Sequence, residues 1–274
     1  MNVLLASGVV LLLSAIAVAA MLLVRRHAPV GSRFTDGDRA SGVFGVLATG
    51  FSVLIGFVIF LNFTSYDASR SGAEGEALVV SQQVQTAALL PPSVSDDLIG
   101  ELVCYGRSVV GPEWDHLEAG DRAPSINPWG VAMFMTLRDV KVDTAIQQSA
   151  YDRWMDQTTT REQARNDRIH GAAGITPLPL WVVLIFISLV IFGYLLFFAD
   201  IGESAVTQGM LMGSVVAVLS VLLLLLVFLG NPYQRGIGGL RPTAMQRSLG
   251  LIALQLDVAH LDVQPPCNAT GQKL

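Results

Sequence analysis

The sequence predicts an all-α membrane protein: four transmembrane helices, with a helical solvent domain inserted between the second and third. Three observations carry this. Charged residues make up only 14% of the 274-residue chain, against about 25% in soluble domains. The shortfall is concentrated in four apolar windows of about 20 residues, the length needed to cross a bilayer as helix. The remainder shows apolar residues at spacings of three and four, with no strand-like alternation of useful length.

The first window, 3–24, precedes Arg25 and Arg26. Basic residues after the apolar stretch reverse the order of a cleaved secretory signal, so this segment is expected to remain as an anchor. The second window, 42–63, is polar only at Thr49, Ser52 and Asn62. It does not stop at water. The stretch LIGFVIFLNFTSYDASRSGAEGEALVV, from Leu54 to Val80, contains no proline and no strong turn, which predicts one helix running from bilayer into solvent. Beyond the span, Ala73, Ala77, Val80, Val84 and Ala87 form a narrow apolar face suited to close helix contact. Pro91-Pro92 is expected to end this helix. Ser93 or Ser95 would cap the next one, which carries Leu98, Leu102, Tyr105 and Val109 on one side. Pro112 would stop it, and 115–128, with Gly120, Pro124 and Pro128, reads as loop.

A third solvent helix is expected over about 130–169, with Phe134, Leu137, Tyr151, Trp154 and Met155 on its apolar side. GAAGITPLP then breaks the chain ahead of the third and fourth spans, 178–198 and 209–229. In the tail, Met245, Leu249, Ile252, Leu256 and Ala259 predict an amphipathic helix over about 243–261, packed on the solvent domain or on the membrane surface. The expected organisation is a first hairpin (1–63), a helical solvent domain (64–176), a second hairpin (177–230) and the tail (231–274).

Charge narrows the function classes. Residues 64–176 hold nine basic and sixteen acidic side chains, and phosphate contacts need a basic face, so nucleic acid is not an expected partner. His27, His116, His170 and His260 are far apart and lack metal-ligand spacing. GIGGL, at 236–240, follows a span rather than a strand and is not a phosphate-binding loop. No catalytic constellation emerges, and neither an enzyme nor a cofactor is expected. Tyr194 is the one ionisable group within the spans, which argues against a proton-coupled transporter. Four arginines lie between the first two spans (Arg25, Arg26, Arg33, Arg39). By the positive-inside rule they place that connector in the cytoplasm, and residues 64–176 and the tail outside it. The connector 199–208, with Asp200, Glu203 and no basic residue, runs against this rule.

Four groups are candidates for function. Arg161, Arg165 and Arg168 share one helical face, suited to lipid headgroup phosphates or small anions. The competing reading is a solvated face neutralised by Glu162 and Asp167. Glu113-Trp114 reads as an acid beside an aromatic, or as a helix-end acid beside an interfacial Trp. Cys104 and Cys267 fall on the same side of a four-span chain, and on an oxidising side they would form a disulfide tying the tail to the middle domain. On the second span, Thr49, Val53, Phe57 and Phe60 share one face. It either lines a pore or packs on neighbouring spans.

The order of several short motifs resembles the bacterial four-span family described as bestrophin-like: RRHAPV, LIGFVIFLNFTSYDASR, EGEALVV, LLPP, CYGRSVVGPEW, REQARNDRI before ITPLPLW, and NPYQRG. Together they cover most of residues 20–250. GFVIFLNFTSYDASR is also similar to the pore helix of bestrophin anion channels, in which an apolar neck continues into a solvent-side helix. The resemblance implies a homo-oligomer, pentameric by analogy, in a bacterial plasma membrane. It implies passage of small anions, with Val53 and Phe57 at neck positions. Where bestrophins carry a bulky, tryptophan-rich stretch, this chain has Ala68, Ser69, Arg70, Ser71 and Gly72. The alternative function is a non-conducting sensor or scaffold whose outer helical domain binds a partner.

Overall fold

The computed structural model describes residues 3–31, 33–34, 36–121, 127–173 and 176–274. Among these residues the regular structure is helical: α1 (Val3–Arg25), α2 (Gly37–Ala87), α3 (Pro92–Ser108), α4 (Trp114–Glu118), α5 (Pro128–Arg138), α6 (Ala145–His170), α7 (Leu178–Phe197), α8 (Ala205–Leu229) and α9 (Thr243–Val258). Four of these helices are long and apolar enough to cross a membrane: α1, α2, α7 and α8. The protein is a multi-pass, all-α membrane protein, as the sequence predicts. The chain divides into two compact units, Met1–Thr64 with Gly174–Gly230, and Ser65–Ala173 with Asn231–Leu274.

In the first unit the core forms where Phe51, Ile55 and Val58 of α2 meet Leu184 and Ile191 of α7 and Leu226 of α8. Helix α1 packs on α8 through small residues. A Cβ added at Gly209 or Gly213 would lie 3.4 or 3.2 Å from the Val18 side chain, so these glycines allow the close approach typical of helices in lipid. The two connectors also meet. Arg25 donates to the carbonyls of Ile201 and Glu203, and Gly31 N–H donates to Asp200 Oδ1 at 3.0 Å. The connector that lacks basic residues thus shares the arginine of the other.

In the second unit, the face Ala77, Val80, Val84 and Ala87 of α2 packs with Leu98, Leu102 and Tyr105 of α3, Trp129, Met133 and Leu137 of α5, Ala150 and Trp154 of α6, and Met245 and Ile252 of α9. The tail helix therefore joins the core of the inserted domain. Three local expectations are corrected. Neither Ser93 nor Ser95 caps α3: Pro91 is the N-cap and Pro92 occupies the first turn, where its missing N–H costs nothing. Pro112 does not stop the chain. It lies in a π-type turn, Val109–Glu113, kinked at Gly111 (φ −98°, ψ −105°), and α4 follows directly. The single helix over 130–169 is two. Helix α5 ends at Arg138, and α6 starts afresh at a capping box in which Thr144 and Gln147 satisfy each other's backbone N–H groups. Part of the expected loop 115–128, including Pro124, lies outside the described residues.

At Gly72, α2 approaches α6 closely. A Cβ there would sit 2.6 Å from both Ala164 O and Arg168 N, which are backbone atoms with no freedom to yield. Gly72→Ala is therefore expected to cost about 1–3 kcal/mol by overpacking. A thermal melt of the purified protein checks this, and an unchanged midpoint would show the two helices to be further apart.

Candidate functional site

The face of α2 that carries Thr49, Val53, Phe57 and Phe60 turns away from the chain's own core. Val53 is 69% exposed, Phe57 and Phe60 each 60%, and Thr49 is exposed as well. A Cβ added at Gly42, Gly45, Gly50 or Gly56 would meet nothing within 4 Å. Phe51, Ile55 and Val58, on the other side of the helix, are buried. Within one chain this stripe packs on none of the neighbouring spans. Asn62 is buried near the end of the span and fully engaged: Nδ2 donates to Val58 O at 2.8 Å, and Oδ1 accepts from Thr176 Oγ1 at 2.8 Å.

Arg161, Arg165 and Arg168 do share one face of α6, but it is an interior one. Each is at most 1% exposed. This corrects both sequence readings, headgroup contact and solvated face. Close approach at Gly72 brings Arg168 opposite Glu76, one turn further along α2. Arg168 donates through Nε and Nη2 to Glu76, and through Nη2 to Glu113 Oε2 at 2.7 Å. Arg165 reaches Glu113 Oε1 at 3.0 Å, and Asn127 Nδ2 reaches the same oxygen at 2.7 Å. Tyr105 donates to Glu76 Oε1 at 2.6 Å. Arg161 donates to Gln83 Oε1 at 2.9 Å and lies 4.9 Å from the Tyr105 ring centre. Tyr233, from the segment after α8, donates to the Arg168 carbonyl and meets Trp114 edge-on. Glu113 and Trp114 are both interior, at 3% exposure. Burial pushes the Glu113 carboxyl up, but the charges and hydrogen bonds of Arg168 and Arg165 outweigh it and hold the group below the usual carboxylate value. Burial likewise raises Tyr105, helped by the Glu76 charge. This network is a three-helix tie built from charge, with no open face for an anion or a headgroup.

Cys104 and Cys267 are joined, with the Sγ atoms 2.02 Å apart. All four histidines are exposed. Among the described residues no group of His, Cys, Asp and Glu is arranged to hold a metal.

The family model of the bestrophin-like domain matches residues 11–245. The chain belongs to the bestrophin-like family. The fold of this bestrophin-like protein is also that of a bacterial bestrophin homologue from Klebsiella pneumoniae. One crystal structure of that homologue is 16% identical over the whole of both chains, with a TM-score of 0.66. A single-residue variant is 14% identical, with a TM-score of 0.66, over 93% of this chain and 99% of the other. Another variant is 13% identical, with a TM-score of 0.64, over 93% and 98%. No curated protein matches at a significant level. In the bestrophin-like chain, the sequence resemblance located α2 and its long extension. It carried no signal for the pairing of Arg168 with Glu76 and Glu113, which lie 92 and 55 residues away.

Proposed function

We propose that this bestrophin-like chain assembles into a homo-oligomeric membrane channel for small ions, with the exposed stripe of α2 facing the central passage. The observation that carries the reading is a 51-residue helix whose apolar face, at Thr49, Val53, Phe57 and Phe60, is left uncovered by its own chain. Copies arranged around an axis would bring Val53 and Phe57 together as a ring. Such a ring gates by dewetting, because water confined between apolar walls is unfavourable. Family membership and the shared fold support this reading, and by resemblance the assembly is a pentamer. The resemblance implies small anions as the permeant class.

For orientation, we place Ser65–Ala173 and the tail outside the cytoplasm of a bacterial plasma membrane. The arginine-rich first connector and the Cys104–Cys267 bond both favour this side.

The test is ion flux from liposomes holding the purified oligomer. Phe57→Ala and Val53→Ala trim side chains that lie outside the buried core of their own chain. They are expected to leave the oligomer intact while raising leak several-fold. The rival reading is a non-conducting sensor or scaffold. It predicts no flux from wild type or variants, and that outcome would replace the channel.

A further inference from the structure

On the connector side of the first unit, the first turns of α2 and the last turn of α7 border a small cavity. Phe34, Asp36, Arg39, Ala40, Val43 and Tyr194 line it, and its volume is about 240 Å³. That is below the roughly 300 Å³ at which pockets for drug-sized ligands begin. The first connector is tied to α7 here, where Arg33 N–H donates to Phe197 O at 3.4 Å. One wall is aromatic. The Phe34 ring stacks on Tyr194 with centres 5.7 Å apart, and lies 4.8 Å from Phe198; Phe44 lies 6.0 Å from Tyr194. Aromatic rings at a span end sit at the level of the lipid headgroups. Two opposite charges reach the cavity without neutralising each other. Asp36 caps α2 by accepting the Arg39 N–H on Oδ1 at 2.9 Å. The Arg39 guanidinium is exposed and forms an ion pair with neither Asp36 nor any other acid among the described residues. The Tyr194 hydroxyl is likewise without a hydrogen-bond partner among them. Ala40 and Val43, the next turn of α2 into the span, give the cavity an apolar end, and Val43 is 51% exposed. An acid, a base and a hydroxyl thus surround one space, with ring faces on one side and an apolar exit on another.

We propose that this cavity seats the headgroup of a zwitterionic phospholipid with a primary ammonium, of the phosphoethanolamine type. The phosphodiester accepts hydrogen bonds from the Arg39 guanidinium and the Tyr194 hydroxyl, close to the positive end of α2. The ammonium meets Asp36 Oδ2, the oxygen left over from capping, and the faces of Phe34 and Tyr194. The acyl chains leave over Val43. Each part of the cavity therefore has a counterpart in one molecule. A phosphoglycerol headgroup offers the phosphate alone and places no cation beside Asp36. A free phosphate in addition leaves the apolar end empty. The seat is independent of whether the chain conducts.

The experiment is native mass spectrometry of the purified full-length protein, offered equal amounts of phosphatidylethanolamine and phosphatidylglycerol with the same acyl chains. Wild type is expected to retain the ethanolamine lipid in clear excess. Asp36→Asn keeps the helix cap, since Asn caps as well as Asp, and should bring the two lipids to equal retention. Arg39→Gln changes an exposed side chain and should lower retention of both by about tenfold, the loss of one charge-assisted hydrogen bond. Tyr194→Phe keeps the ring and should lower both by less. Equal retention of the two lipids by wild type would overturn the zwitterion assignment. Retention unaltered in both Asp36→Asn and Arg39→Gln would place the lipid elsewhere and overturn the site. Displacement of the lipid by an equal concentration of glycerophosphoethanolamine, which has no acyl chains, would make a soluble headgroup the ligand and overturn the lipid.

Discussion

Replacing Arg168 by alanine is expected to destabilise the second unit by about 3–5 kcal/mol, the cost of stranding a buried charge partner. Arg168 is fully buried and holds two carboxylates that are themselves buried. Without it Glu113 keeps Arg165 and Asn127, whereas Glu76 is left with the Tyr105 hydroxyl. Glu76 is therefore the group that suffers, and the double variant Arg168→Met, Glu76→Leu should recover much of the loss. A melting midpoint lowered by on the order of 10 °C in the single variant, and largely restored in the double, is the expected signature. Equal loss in both would mean that the pair matters only as volume.

The pH dependence follows from the same contacts. Because Glu113 is held below its ordinary value, its share of stability is fully present above about pH 4.3. It is lost as pH falls through the lower folded value. Removing Arg168 takes away one of the two charges that hold it down, so acid unfolding should begin at higher pH in the variant.

The four spans and the long helix were legible because lipid imposes a simple rule: apolar residues over a fixed length, with no backbone group left unpaired. The stripe on α2 was legible from spacing, and only its exposure needed the structure. The buried arginines were misread because charged side chains seldom lie in a core. Yet the phase of the repeat contained the answer. Trp154, Arg161 and Arg168 are seven apart; Gln157 and Arg165 lie between them and Ala150 ahead of them, all on the same buried side. A face that begins with a core tryptophan and keeps its phase must continue into the core. Its carboxylate partners were not legible, since Glu113 owes its position to a kinked π-type turn that neither periodicity nor Pro112 announces. The break at residues 139–144 was missed because apolar spacing continues across it, although the Thr144-to-Gln147 capping box is visible in sequence.

The second large effect is expected at the disulfide. Cys104, on α3, has no exposed surface, and Cys267 is 4% exposed. The bond closes a loop of 163 residues in sequence separation. Helices α7 and α8 lie within that loop and stay in the bilayer when the second unit unfolds, which shortens the free chain. Loop entropy grows only with the logarithm of length, so the stabilisation stays at about 4–5 kcal/mol in the chain-entropy model.

Other contacts hold the same tail and limit what is lost. Arg107 donates to the carbonyls of Cys267 and Asn268, each at 3.3 Å, and Trp129 Nε1 donates to Gly271 O at 2.6 Å. Gly271, at φ +76°, lies so near α3 that a Cβ would be 2.8 Å from Cys104 O. Cys267→Ser is therefore expected to lower the denaturation midpoint without releasing the tail under native conditions. Because both sulfurs are buried, native protein treated with reductant that is removed before the melt should keep its midpoint nearly unchanged. Reductant with denaturant should bring wild type down to the level of the variant. Protein purified from the membrane, alkylated in denaturant without reductant, should carry no label at either cysteine. Two labelled thiols would remove the bond, and with it the strongest structural support for placing this unit on the oxidising side, where bonds of this kind form.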